Sequence, residues 1–158
     1  MKLPYQEGDW FAVPLASGGF ALGIVARTTK KGRVLLGYFF GPRRPVPESV
    51  DDLKEQFAEQ AILVARFGDL SLVRKEWPIL GRSRDWYRGK WPMLAFVNRD
   101  PLSGRAWRIE YADDDPNKLI GRTPISVSET IGIEMDRVCG AGAIEMQLDR
   151  LLSDAAVR

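Results

Sequence analysis

The stretch "GDWFAVPLASGGFALGIVAR", residues 8–27, decides how the rest of the chain is read. From Asp9 to Leu15 the apolar side chains alternate, with Phe11, Val13 and Leu15 on one side, the period-two pattern of a strand half buried in a sheet. Ser17-Gly18-Gly19 follows with residues that accept positive φ, and from Phe20 to Arg27 the alternation resumes with Phe20, Leu22 and Ile24 together. The spacing predicts a β-hairpin that gives the core one apolar face, formed by Phe11, Val13, Leu15, Phe20, Leu22 and Ile24. Gly23, in mid-strand, marks a bulge or a close approach to the backbone.

Working outward, "TTKKG" (28–32) is a polar turn into a third strand, Arg33 to Phe40. Val34, Leu36, Tyr38 and Phe40 share one face there and Leu35 and Phe39 the other, so this strand is apolar on both sides and belongs at the centre of a sheet. "GPRRPVPES" (41–49) has three prolines and predicts a loop that ends the meander. Ser49 with Asp52 three residues on resembles a helix start running from about Val50 toward Phe57, and "AILVARF" (61–67) reads as a further strand. Between Gly68 and Pro92 the pattern breaks into short pieces carrying Trp77, Trp86 and Trp91.

Met93–Val97 and Ala106–Ala112 predict a second hairpin across the turn signals of "NRDPLSG". "ADDDPNK" ends it, and one or two short strands follow, at Leu119-Ile120 and Pro124–Val127. Ile144, Leu148, Leu151, Leu152 and Ala155 then recur at helical spacing after Gly140 and Gly142. The expectation is a single α+β, mostly β domain over residues 1–158: a twisted antiparallel sheet, or a partly open SH3-like barrel, carrying a C-terminal amphipathic helix.

Composition narrows the chemistry. The 158 residues contain no histidine and one cysteine, Cys139. A Ser-His-Asp triad, a Cys-His dyad, a histidine zinc site and an internal disulfide are therefore excluded. A net charge of +2 is too balanced to imply a nucleic-acid or membrane partner by charge alone. The opening "MKLPYQEGDW" lacks an apolar signal-peptide core, no run reaches membrane-spanning length, and a lone cysteine suits a reducing compartment, so a cytoplasmic location is expected. No cofactor or metal is expected.

Two constellations stand out. "GRSRDWYRGKW" (81–91) interleaves Arg82, Arg84, Arg88 and Lys90 with Trp86, Tyr87 and Trp91. Such a mixture suits a protein interface anchored by aromatic and arginine side chains, suits stacking and phosphate contact with single-stranded nucleic acid, and also suits core rings in a solvated loop. Asp113, Asp114 and Asp115, with Glu110 nearby, form an acidic run that reads as a solvated loop or a partner-binding patch; any carboxylate enzyme would have to use this group. Gly18-Gly19 lacks the Gly-Lys-Ser/Thr of a phosphate loop, and Cys139 has no accompanying base or second cysteine.

"GDWFAVPL", "GFALGIVAR" with Gly23 and "LLGYFFG" with Gly37, Tyr38 and Phe39 occur in an order that resembles the bacterial immunity protein 26 family, associated with polymorphic-toxin systems. The likeness covers about the first 40 residues and, more loosely, "FGDLSLVRKEWPILGR". It implies a non-enzymatic protein that binds and neutralises a cognate toxin, and it transfers no contact residue. The candidate partner-binding residues are accordingly those of the two constellations: Arg82, Arg84, Trp86, Tyr87, Arg88, Trp91, Asp113, Asp114 and Asp115. The second reading is a nucleic-acid-binding β-barrel that uses residues 81–91.

Overall fold

The computed structural model describes residues 2–156. The opening stretch forms β1 (Asp9–Pro14) and β2 (Phe20–Thr28), an antiparallel pair in which Trp10 faces Ile24, Phe11 faces Gly23 and Val13 faces Ala21. β3 (Val34–Arg44) and β4 (Leu63–Gly68) extend the meander. A one-turn helix, α1 (Leu70–Val73), leads to β5 (Ile79–Arg82) on the outer side of β1. A second sheet follows, with β6 (Phe96–Arg99), β7 (Ala106–Ala112) and β8 (Asp115–Ile125) in sequential order. Finally β9 (Val138–Cys139) joins β4 in parallel, and α2 (Ala141–Ala156) ends the described chain. The first sheet has the order β5-β1-β2-β3-β4-β9. Neither sheet closes, so the twisted, open arrangement is the correct one of the two expected architectures.

The hairpin register corrects one expectation. Phe11, Val13 and Leu15 pack on one face of the sheet with Ala21 and Val25, whereas Leu22 and Ile24 pack on the opposite face with Trp10. Each strand alternates as expected, but the turn sets Val13 against Ala21, so the two alternating sets lie on opposite faces. The sequence pattern alone does not fix that offset because both faces are buried. Gly23 marks a close approach: a Cβ there would sit 2.5 Å from the Phe11 ring. The bulges of β2 lie elsewhere, beside Ala21 and Ala26.

Burial on both faces gives the molecule three layers. On one side Phe11, Phe39 and Phe67 gather around fully buried Trp77, whose ring stacks on Phe11 at 5.7 Å and 8°. Ile144, Leu148 and Leu152 of α2 close that layer, while Leu151 is exposed and Ala155 lies outside the residues whose side chains are described. On the other side Trp10, Tyr38 and Phe40 pack edge-on against Trp91, Trp10 and Phe40 lie tilted to each other, and Phe96 carries the contact into the second sheet. The helix begins at Ala141, before Gly142. Asp149 fixes it to the first hairpin, bonding Ser17 and lying 3.0 Å from Arg43.

Other expectations shift in detail. β3 continues through Pro42 to Arg44, because the ladder slips between Phe20 and Leu22 at that point and tolerates the proline. The helix expected after Ser49 is reduced to two 3₁₀ turns, Val50–Asp52 and Ala58–Gln60, with Ser49 Oγ accepting from the Asp51 N–H. The two short strands expected after the acidic run are one strand, β8, which starts at Asp115 and passes through Pro116 and Pro124.

Gly23→Ala should lower stability by about 1–3 kcal/mol, the usual cost of overpacking a filled site. Urea unfolding of the two proteins measures this directly.

Candidate functional site

The two constellations lie 22 residues or more apart in sequence, and the structure connects them through an arginine that sequence reading passed over. Val25 faces Gly37 and Arg27 faces Leu36, so the bulge directs both Ala26 and Arg27 toward the second sheet. Arg27 is 1% exposed. Its Nε donates to the Asp113 carbonyl at 2.6 Å, NH1 donates to the Ala26 carbonyl at 2.7 Å, and NH2 lies 3.1 Å from the Asp113 carboxylate and 3.5 Å from the Arg88 carbonyl.

Arg66 repeats the device from the next strand but one, since it also faces Leu36. Its Nε donates to the Pro116 carbonyl at 2.8 Å and NH1 to Asp136 at 3.0 Å, while the guanidinium lies 3.8 Å above the Tyr111 ring. The Tyr111 hydroxyl donates to the same Asp136 oxygen at 2.6 Å; burial and that carboxylate push the phenol up to about 12. Two buried cations flanking Leu36 thus grip the tip of the β7–β8 hairpin. Asp136 belongs to a segment that also bonds β6, through Val97 N–H to Glu134 O and Asp136 N–H to Val97 O, and so links the two sheets.

At this junction the candidate residues separate into framework and surface. Trp91 is a core ring, 5% exposed, and Trp86 is half buried over Gly8. Tyr87 is 65% exposed. Arg88 makes a two-pronged ion pair with Glu7 at 2.8 and 2.9 Å, which with Asp113 and Asp114 nearby raises its proton affinity further. Arg82 donates to the Glu7 carbonyl, and Arg84 pairs with Asp51. Asp113 and Asp114 form the exposed two-residue turn between β7 and β8, whereas Asp115 is half buried and accepts the Asn117 N–H. The structure therefore brings Arg88, Asp113 and Asp114 together; it leaves Arg84 farther along, beside a groove of about 520 Å³ bounded by Trp10, Trp91 and Phe57.

The altered proton affinities belong mainly to buried groups. Tyr5, which donates to Asp69 at 2.6 Å, is raised by burial first, and Tyr38 is pushed up to about 12 for the same reason. Asp9 is raised by loss of water, opposed by the Gln6 N–H and Arg82. Burial likewise raises Cys139, against the opposing effect of Arg137. Among the described residues no three histidine, cysteine or acidic side chains are grouped to hold a metal ion, and no helix is long and apolar enough to cross a membrane.

These features define a two-sheet, mostly β scaffold with an α2 backing and a mixed-charge surface mounted on two buried arginines. The chain belongs to the Immunity protein 26 family, whose sequence model matches residues 6–108. No curated protein and no solved structure matches it.

Arg66→Met should speed amide exchange along β7 and β8 while leaving β1–β3 protected, and should cost about 1.5–3 kcal/mol for a lost charge-assisted hydrogen bond. Exchange mass spectrometry resolves the two regions. Cys139 should stay unreactive toward a disulfide reagent at about pH 8 in the folded protein and react on unfolding, because burial disfavours its thiolate; absorbance at the released thiol reports both states.

Proposed function

We propose that the chain is an immunity protein that neutralises a cognate toxin by stoichiometric binding, as a single domain in the cytoplasm of the cell that makes it, without turnover. Membership of the family supports the toxin partner. The observation that directs the reading to a surface is the junction at Arg27, where ion-paired Arg88 stands beside the carboxylates of Asp113 and Asp114 and exposed Tyr87 precedes it in the chain. An aromatic anchor beside fixed charges of both signs gives affinity and register together, and the buried arginines beneath hold it in place before the partner arrives.

One of the ion pairs also weighs against nucleic acid. Arg88 is held in two prongs by Glu7, so a phosphate would have to displace that carboxylate.

Co-expression with a candidate toxin domain taken from the genes that flank the chain's own tests the reading. Wild-type chain should restore growth and form a complex of fixed stoichiometry; continued toxicity despite soluble expression refutes it. Tyr87→Ala and Asp114→Lys should each weaken binding by about tenfold or more, with unchanged urea midpoints, as for anchors at the centre of an interface. Calorimetric titration of the purified pair gives the comparison.

A further inference from the structure

β8 is the outer strand of the second sheet, and among the described residues the only strand it pairs with is β7. Residues 117–120 and 122–124 are exposed, with Leu119 at 55% and Ile120 at 60%. The pairing with β7 slips at Ile120 and between Asp115 and Leu119, and these bulges together with Lys118 blunt the edge against a like strand, leaving its exposed Leu119 and Ile120 to a strand of opposite charge. Pro116 and Pro124 lack the N–H that a ladder needs and so bracket the usable edge to residues 117–123.

We propose that this edge receives an extended segment of the toxin, added as a further strand of the second sheet, with carboxylates opposite Lys118 and Arg122. The inference rests on the immunity reading above. The charge of the occupant follows from the strand itself. From Pro116 to Ile125 it carries Lys118 and Arg122 and no acid, and neither cation has an ion-pair partner among the described residues. The Arg122 guanidinium lies 4.2 Å over the Trp107 ring, which holds it in place. A second copy of the chain would bring two more cations to the same edge, whereas an acidic strand neutralises both. The location fits as well. β8 begins directly after the Asp113–Asp114 turn, which lies near Arg88. It also lies wholly beyond residue 108, outside the segment that the family model matches.

The test uses the toxin domain that wild-type chain neutralises in co-expression. Hydrogen exchange on the complex should slow the amides of residues 117–123 by about tenfold or more, as expected for newly formed ladder bonds, and the Lys118→Glu/Arg122→Glu double variant should lose about tenfold in affinity at an unchanged urea midpoint. Unchanged exchange across 117–123 in a complex that still forms overturns strand addition and leaves the immunity reading standing, as does a double variant that binds like wild type. Protection of the same amides in the free chain at high concentration, with a doubled mass by light scattering, assigns the edge to a second copy and overturns the proposal. If the wild-type chain does not bind the domain, the immunity reading itself fails, and the two failures are distinct.

Discussion

Two buried guanidinium groups, Arg27 and Arg66, hold the architecture together. Both face Leu36 across neighbouring strands, and both send Nε to a main-chain oxygen of the β7–β8 hairpin, at Asp113 and Pro116. Removing a guanidinium from water costs several kcal/mol, as an order of magnitude, unless its donors are satisfied. Here the donors are met by carbonyls, by Asp113 and Asp136, and in the case of Arg66 by the face of Tyr111. The second sheet is therefore oriented by directional bonds as well as by packing of Phe96 and Trp91. Apolar contact alone would let the sheets slide, whereas a forked donor accepts one geometry.

The central meander was legible because its signal is local. Alternation along 9–15, a glycine turn and a doubly apolar third strand locate β1, β2 and β3 with little ambiguity, and the helical stripe Ile144, Leu148, Leu152 identifies α2. What escaped depends on long-range partners. The offset between Phe11 and Leu22 is set by the turn and by both faces being covered. Pro42 and Pro116 enter strands because the ladder at Pro42 is bulged and Pro116 lies between Asp115 and Leu119, where the pairing with β7 is interrupted. β9 is two residues long and carries no periodicity at all.

The candidate surface was half legible for a related reason. Residue type marked Tyr87, Arg88, Asp113 and Asp114 as candidates for an interface, but no spacing in sequence joins residue 88 to residue 113. The joining residue, Arg27, looked like the polar end of a strand. The signal that would have exposed it is the run of apolar residues from Ala21 to Ala26, which places an arginine where a solvated end was not available. Trp91, grouped with the interface rings by composition, proved to be the centre of an aromatic cluster with Trp10, Tyr38 and Phe40.

The latch made by Arg27 and Arg66 has a consequence for how such a protein can diversify. Each Nε contacts a peptide oxygen, a group every residue supplies, so the hairpin is held by its backbone path and only secondarily by its sequence. The outer arm can therefore exchange side chains across generations while remaining attached at the same angle to an unaltered scaffold. The part that must stay fixed is thereby separated from the part that is free to vary.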